Sequence, residues 1–377
     1  MQSFYDLFNA LAAPAIFISL ATLGFTLLIW KMRFITRPAV MATIAALTAG
    51  FFVVGAQNHD FKLILTKGDN MPIVIMIFSI MGCLYLGLRQ ACVNDMRIER
   101  GEPPVEAADA NKKVLVWPDL VFPEFITTVL LSAVFIFWGI LVEAPIEEPA
   151  SGTRAPNPAK APWYFLGLQE MLVYYDPWYA GVILPTFILL GLMVIPYIDT
   201  NPRGNGYFTF KERPFAISMF LFGFLVLWVT LVILGTFLRG PNWNFFGPYE
   251  YWDLHKLLAL NNVNLSEYVW VKMLGTGIEN KPMLIRELPG IFLVLFYVAV
   301  LPGLLARMSR PVSLPVGRRR VTFTLGLKKY YEKMGPFRYA VFVMLLLSMI
   351  ALPIKMVGRW LFNLKYVIAM PEIFFNI

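Results

Sequence analysis

The sequence predicts an all-α polytopic membrane protein with about eight transmembrane helices and an amphipathic loop helix on the non-cytoplasmic side. Of its 377 residues, 58% are hydrophobic and only 15% are charged, whereas a soluble protein carries about 25% charged residues. The hydrophobic residues lie in runs about as long as a bilayer is thick. Aromatic residues make up 15% of the chain, which is typical of lipid-facing surface with aromatic belts at both membrane interfaces.

Eight apolar runs approach the length of about 20 residues that a helix needs to cross a bilayer. We predict spans at Pro14–Trp30, Ala39–Val54, Met71–Leu88, Phe125–Val142, Tyr179–Tyr197, Phe215–Leu238, Leu288–Ala306 and Tyr339–Ile354. Proline, glycine and aromatic residues mark their ends. Proline is tolerated at the first position of a helix because its missing N–H has no intrahelical partner there.

Basic residues are unequally divided between the two sets of loops that these spans define. The loops 31–38, 89–124, 199–213 and 307–338 hold 20 of the 32 Lys and Arg but only 10 of the 24 Asp and Glu. Because basic loops stay in the cytoplasm, these loops are predicted to be cytoplasmic and both termini non-cytoplasmic. Topology and anionic lipid headgroups account for the net charge of +8 and for the basic triplet at 318–320, so no nucleic-acid partner is predicted.

The chain divides into five predicted regions. They are a three-span N-terminal extension (1–96), a cytoplasmic linker (97–115), a three-span domain (116–240), a peripheral non-cytoplasmic segment (241–286) and a two-span C-terminal extension with an interfacial tail (287–377). The peripheral segment is rich in Trp, Tyr and Asn and is long enough for amphipathic helices that lie on the membrane surface.

The three-span domain carries four short motifs. In order they are Val116-Trp117-Pro118-Asp119-Leu120 before its first span, Ala161-Pro162-Trp163-Tyr164-Phe165 in the loop that follows, Pro196-Tyr197-Ile198-Asp199 at the end of the second span and Arg213-Pro214 at the start of the third. A helical run is predicted from Leu166 to Tyr175. Spacings of seven and four residues place Trp163, Glu170 and Tyr174 on one side of such a helix.

With these motifs, the stretch resembles subunit IV of cytochrome bf complexes, which is equivalent to the C-terminal part of cytochrome b in bc-type quinol oxidoreductases. The family's Trp-Pro-Asp-Leu, Pro-x-Trp-Tyr-like, Pro-Tyr-Ile-Asp and Arg-Pro features occur here in the family's order. The resemblance covers about a third of the chain. The first three predicted spans and the last part of the chain have no counterpart in that subunit.

The resemblance implies a quinol-oxidising site on the positive side of a bacterial-type energy-transducing membrane. It also implies a haem-bearing cytochrome b subunit, a Rieske iron–sulfur protein and a c-type cytochrome as partners, besides membrane lipid. The chain has only two histidines, His59 and His255, both in predicted loops. The b haems and the iron–sulfur centre are therefore expected in partner subunits, with no metal held by this chain. It would act as one subunit of a quinol:cytochrome c-type oxidoreductase and would not be catalytic alone.

One position departs from the family pattern. The family motif is Pro-Glu-Trp-Tyr, but here Pro162 stands where the glutamate would be. Quinol oxidation needs a base within hydrogen-bond reach of the quinol hydroxyl. We predict Glu170 as the substitute, because a carboxylate in a partly apolar cleft has a raised pKa that suits it to accept a proton. The alternative is that Glu170 caps or pairs within a surface helix.

The remaining predicted site residues lie around this motif. Tyr164 is predicted to hydrogen-bond the quinol or the Rieske partner, and the quinol-binding residues are predicted to be Ala161, Pro162, Trp163, Phe165 and Tyr174. As interfacial anchors, however, Trp163 and Tyr164 need no further explanation. A second hypothesis is therefore a structural membrane anchor of a redox complex, with a degenerate quinol site. An ion-pumping subunit is disfavoured because no charged residue lies deep in a predicted span. A secondary transporter is disfavoured because it would have broken helices and polar residues at the midplane, which these spans lack.

Overall fold

The computed structural model describes residues 2–109, 111–143, 149–201, 207–259, 261–316 and 319–377. Residue 318 of the basic triplet lies outside these ranges. The helices are α1 (Gln2–Leu11), α2 (Pro14–Trp30), α3 (Met32–Ile35), α4 (Pro38–Gly55), α5 (His59–Thr66), α6 (Met71–Glu99), α7 (Val116–Leu141), α8 (Leu166–Met171), α9 (Tyr179–Ile198), α10 (Pro214–Phe237), α11 (Leu265–Glu267), α12 (Met283–Arg286), α13 (Leu288–Arg307) and α14 (Lys328–Phe362). The strands are β1 (Arg310–Val316), β2 (Arg319–Leu325), β3 (Ala369–Met370) and β4 (Phe375–Asn376).

The prediction of an all-α polytopic membrane protein is confirmed. Within the described ranges, the seven helices α4, α6, α7, α9, α10, α13 and α14 are long and apolar enough to cross a membrane. The helices α1 and α2 pass the same test together but are bent by 78°. If this bent pair forms one span, the number of spans in the described ranges is eight. The helix α2 has the predicted bounds, and α14 is longer than the predicted last span because it begins before Tyr339 and continues past Ile354.

The chain forms two compact units. The first unit comprises Met1–Gly167 and Asn205–Leu257, and the second comprises Leu168–Gly204 and Leu258–Ile377. In the first unit, a core of Met32, Leu88, Cys92 and Leu221 joins α3, α6 and α10. Most residues of the spans are not buried within the chain, as expected for apolar helices surrounded by lipid.

Asn94 connects three segments of the first unit. This fully buried residue of α6 donates from Nδ2 to Glu106 Oε2 (2.7 Å) and to the carbonyl oxygen of Phe208 (2.8 Å). Its Oδ1 accepts from the backbone N–H of Val105 (2.9 Å). A buried amide with all these partners satisfied fixes the linker after α6 and the start of the segment that leads into α10.

In the second unit, α14 contacts both α9 and α13, and its buried residues Met334, Tyr339, Val343 and Leu347 form a core with side chains of α13. The hydroxyl of Tyr297 donates to the carbonyl oxygen of Leu347 (2.7 Å). Near its beginning α14 is interrupted at Gly335, whose φ of 73° lies in the left-handed region, and Pro336 follows. That break is expected because proline disfavours the helical conformation of the preceding residue.

The C-terminal tail after α14 is ordered by a buried charge network. Glu287 is 1% exposed, and its Oε2 accepts from the backbone N–H of Ala369 (2.9 Å) while Oε1 accepts from Arg286 Nε (3.0 Å). Arg286 also donates two bonds to Glu372, of 2.8 and 3.0 Å. This bidentate pair lowers the pKa of Glu372. The network holds the short pair of β3 and β4 against the start of α13.

Three local features differ from the prediction. The antiparallel hairpin of β1 and β2, which pairs Arg310 with Leu325 and Val316 with Arg319, lies inside the predicted basic loop. The segment after residue 240 is mostly irregular, with a 3-10 turn at Pro241–Trp243 and a short helical stretch that begins at α11. The loop helix α8 ends at Met171 rather than at Tyr175.

Candidate functional site

In the first unit, the loop before α8 is attached to the segment that follows α10. Two hydrogen bonds join the Asn157 side chain to Asn242. Asn157 Nδ2 donates to Asn242 Oδ1 (2.9 Å), and Asn157 Oδ1 accepts from the backbone N–H of Asn242 (2.6 Å). Asn242 has a φ of 57°, and asparagine tolerates this left-handed conformation better than most residues. The sequence therefore suits a tight bend at which the loop is held.

Lys160 makes a second attachment a few residues before the aromatic motif. Its Nζ donates to the carbonyl oxygen of Thr236, in the last turn of α10, over 2.7 Å. The same ammonium lies 4.8 Å from the ring centroid of Trp252. A cation at the C-terminal end of a helix binds carbonyl groups that have no intrahelical partner and interacts favourably with the helix dipole.

Two glycines allow the aromatic motif to approach α10 closely. A Cβ at Gly235 would lie 3.2 Å from the carbonyl oxygen of Leu166, and a Cβ at Gly167 would lie 3.3 Å from Val232 Cγ2. Both contacts are tighter than ordinary van der Waals distance. Glycine at these two positions therefore lets the end of the loop pack against the helix without a side chain between the two backbones.

The aromatic motif keeps part of its surface open. Trp163–Phe165 is a 3-10 turn in which the Trp163 and Tyr164 rings meet edge to face, with centroids 5.6 Å apart. Tyr164 and Phe165 are 48% and 49% exposed, and Trp163 is half-buried. Pro162 is exposed and Ala161 is half-buried. A rigid aromatic surface of this kind can stack on a planar ligand or contact a partner protein.

In the second unit, Glu170 and Tyr174 are buried. Glu170, in α8, has no exposed surface, and Tyr174 is 1% exposed, with its ring 6.2 Å from that of Trp360. The helix ends between them, because Val173 and Tyr174 make bonds to residues three positions back, and Pro177 disfavours helical conformation at Asp176. Tyr174 therefore lies in a turn and not on the predicted helix.

The C-terminal tail holds this turn, which the sequence did not reveal. Lys365 Nζ donates to the carbonyl oxygens of Leu172 and Val173, both at 3.4 Å. Asp176 Oδ2 accepts from Tyr366 OH (3.3 Å) and from Asn376 Nδ2 (3.1 Å). The sequence signal for these contacts is Lys365, which interrupts an otherwise apolar tail. By itself that signal predicts only a position at the membrane interface.

Burial sets the electrostatics of the turn. It raises the pKa of Tyr175 well above its usual value, since the ring is 2% exposed. Burial also lowers the pKa of Lys365; the nearby Arg359 adds to this effect and Asp176 opposes it. The ammonium of Lys355, which is 6% exposed, lies 5.3 Å from the Tyr175 ring centroid. The turn is thus closely packed against basic side chains of α14 and the tail.

Residues 149–249 match the family model described as Cytochrome b(C-terminal)/b6/petD. This segment is similar to the C-terminal part of cytochrome b. The matched range contains the loop, α8, α9 and α10, and every predicted site residue lies within it. The resemblance inferred from the motifs is therefore supported over the segment that carries the Pro-Trp-Tyr sequence. No solved structure gives a significant match to the chain.

The two histidines of the chain lie outside the cytochrome b-like segment. His59 begins α5 and His255 lies in the irregular segment after α10; both are exposed and outside the spans. In the part of the chain that the structure describes, no group of three or more His, Cys, Asp or Glu is arranged to hold a metal ion.

Proposed function

We propose that the chain is a haem-free membrane subunit of a bc-type complex that helps to form the quinol-oxidation site. Electrons would pass through a partner Rieske protein and a partner haem-bearing cytochrome b, and then to a c-type cytochrome. The observation that carries this proposal is the match over residues 149–249, together with an exposed aromatic turn fixed on α10 inside that segment. A bacterial-type energy-transducing membrane and non-cytoplasmic termini are part of the same proposal.

The aromatic turn supplies the quinol contacts in this proposal. Trp163 and Phe165 present apolar rings to the quinone ring, and the Tyr164 hydroxyl hydrogen-bonds a quinol oxygen or the Rieske partner. Ala161 and Pro162 keep the backbone extended ahead of the turn. The attachments of Asn157 and Lys160 would hold this surface in one orientation, since a binding surface is effective only if it is pre-organised.

Glu170 is proposed as the proton acceptor that replaces the family's missing glutamate, and Tyr174, also in the second unit, is proposed as a further quinol-binding residue. A carboxylate can serve in this way if it comes within hydrogen-bond reach of the quinol hydroxyl. The additional spans outside the cytochrome b-like segment, in regions 1–96 and 287–377, are proposed to contact lipid or further subunits. The helix α7 lies in the predicted three-span domain, before the matched range. None of its residues, all of which the structure describes, is buried, as suits a helix in contact with lipid or other chains.

A structural membrane anchor with a degenerate quinol site is the second candidate. Two observations favour it: Pro162 stands where the family has its glutamate, and Glu170 has no exposed surface. In that case Trp163 and Tyr164 would act as interfacial anchors, and redox partners would be held without quinol binding at this loop.

Quinol-dependent haem reduction in the purified complex distinguishes the two candidates. For a subunit that forms the quinol site, Tyr164→Phe should slow reduction by about threefold to tenfold, the loss expected for one hydrogen bond. Tyr251→Phe, at a tyrosine that is 71% exposed outside the motif, is the matched control and should have no effect. If turnover is unchanged both in Tyr164→Phe and in a separate Trp163→Leu variant, the structural membrane anchor is favoured.

Glu170→Gln tests the proton acceptor separately. Loss of a general base slows proton transfer by about 100-fold or more, and the dependence of the rate on pH should flatten. Glu279→Gln, at an exposed glutamate, is the matched control. A Glu170→Gln complex that assembles normally and keeps full turnover and its pH profile would exclude this role for Glu170.

A further inference from the structure

A groove between α13 and α14 in the second unit is open along both helices. It encloses about 450 Å³, within the range of about 300–1,000 Å³ that is usual for small-molecule sites. Small residues leave this space: Ala299, Gly303 and Ala306 on α13 face Ala340 on α14. A Cβ built on Gly303 would meet no atom within 4 Å, so the groove is open at that position.

The groove is about one membrane leaflet deep. Its lining runs along α13 from Val298 to Arg307, ten residues that span about 14 Å of helix. Half of a bilayer's hydrocarbon core is about 15 Å. The side chains between these ends are apolar apart from the Tyr339 hydroxyl, which donates to the carbonyl oxygen of Pro302 (2.8 Å) and is thereby satisfied. The interior of the groove therefore suits an alkyl chain.

The mouth of the groove is cationic. Arg307 and Tyr331 line it, and both are exposed. The backbone N–H of Lys328 donates to the carbonyl oxygen of Met308 (3.3 Å), which brings the start of α14 beside the end of α13. The loop 307–338 has nine Lys and Arg against one acidic residue, and that acid, Glu332, lies 3.7 Å from Lys328.

We propose that this groove binds an anionic glycerophospholipid, with one acyl chain between α13 and α14 and the phosphate at Arg307 and Tyr331. Basic pockets between transmembrane helices bind anionic headgroups in this way. A quinone carries no negative charge and would leave the cationic mouth without a counter-ion. The site lies outside the cytochrome b-like segment, and the inference does not depend on the proposed function.

Photo-cross-linking in nanodiscs tests the site with the full-length chain. The probe is phosphatidylglycerol with a diazirine on one acyl chain, and the comparison probe is phosphatidylcholine with the same chain. Mass spectrometry maps the labelled peptides. The anionic probe should label peptides 298–307 and 339–344 at least fivefold more strongly than the neutral probe. Equal labelling by both probes would overturn the proposal, because it would indicate unselective boundary lipid.

Two variants then locate the headgroup and the chain. Gly303→Leu fills the groove and Arg307→Gln removes the cation, and each should reduce labelling by the anionic probe at least threefold. Their controls are Gly139→Leu, at another glycine with open space around it, and Arg37→Gln, at an exposed cation outside the groove. Unchanged labelling in both groove variants, or displacement of the probe by a soluble quinone analogue and not by unlabelled phosphatidylglycerol, would also overturn the proposal.

Discussion

The ammonium of Lys160 binds the carbonyl oxygen of Thr236 over 2.7 Å and so joins the loop before the aromatic motif to the last turn of α10. It also lies over the Trp252 ring. One side chain thus connects three parts of the first unit: the loop, a membrane span and the irregular segment that follows it. Trp163 follows Lys160 by only three residues, so we expect the orientation of Trp163–Phe165 to depend on this connection.

Replacing Lys160 with methionine should therefore loosen the loop. The variant keeps the length of the side chain but loses a charge-assisted hydrogen bond, worth about 1.5–3 kcal/mol, and the cation–π contact. Limited proteolysis between residues 149 and 167 should become faster, and the thermal unfolding midpoint should fall. Lys272→Met removes an exposed cation 4.2 Å from the Tyr268 ring centroid and should change neither quantity. Proteolysis at the wild-type rate in Lys160→Met would contradict the anchoring role.

Gly235 should not tolerate a larger side chain. A valine there would drive its Cβ toward the carbonyl oxygen and the Cβ of Leu166, at 3.2 and 3.4 Å, and overpacking of this kind costs about 1–3 kcal/mol. The free energy of unfolding in detergent should fall by that amount. Gly139→Val, at a position with nothing within 4 Å of an added Cβ, is the control for a span glycine and should be close to neutral. Equal stability of the two variants would show that the loop does not pack on α10.

Tyr249 should make the first unit less stable at high pH. Burial, with a smaller contribution from Tyr5, raises the pKa of its hydroxyl to about 12. The folded protein therefore holds this proton more tightly than the unfolded chain, whose tyrosine pKa is about 10. The resulting stabilisation is complete below pH 10 and is lost as the pH rises through about 12.

The matched variant for that prediction is Tyr249→Phe. The hydroxyl has no hydrogen-bond partner among the described residues, so its removal should be neutral or slightly stabilising at pH 7. Between pH 10 and 12, the wild-type thermal midpoint should fall relative to that of the variant. Tyr249→Leu should lose stability at every pH because it removes ring contacts with Tyr5 and Phe61. Parallel pH profiles for wild type and Tyr249→Phe would refute the assignment.

Glu287→Ala should release the C-terminal tail. The change removes the acceptor for Ala369 N–H and one partner of Arg286, and leaving a buried donor unsatisfied costs about 1–3 kcal/mol. Carboxypeptidase should then trim the tail faster. Glu279→Ala, at an exposed glutamate, should be trimmed at the wild-type rate. A tail as resistant as the wild type in Glu287→Ala would mean that other contacts hold it.

The spans were predictable from sequence because their length and hydrophobicity reflect the thickness of the bilayer and need no tertiary contacts. The helix α2 has the predicted bounds Pro14–Trp30. The hairpin of β1 and β2 was missed although residues 321–325 alternate as Val-Thr-Phe-Thr-Leu, a pattern typical of a strand. The concentration of arginine in that loop favours a solvated cytoplasmic segment and so competes with the alternation as a signal.

The candidate site was predictable only as a segment. The motif around Trp163 was found from residue order, and the family match covers it. The end of the helix at Met171 and the burial of Glu170 were not predictable, since periodicity describes only a regular helix. The turn that follows is fixed by Lys365 and other tail residues that are remote in sequence, and a local pattern carries no information about such contacts.

We propose above all that this chain belongs to a complex that oxidises quinol. Isolation of the full-length tagged chain from its native membrane, followed by a quinol-reduced minus oxidised absorbance spectrum, tests it most directly. We expect that a b-type haem copurifies with the chain and is reduced by added quinol, and that a Rieske-type iron–sulfur protein is present in a stoichiometric amount. A preparation that contains the intact chain but neither haem nor iron–sulfur protein would contradict it.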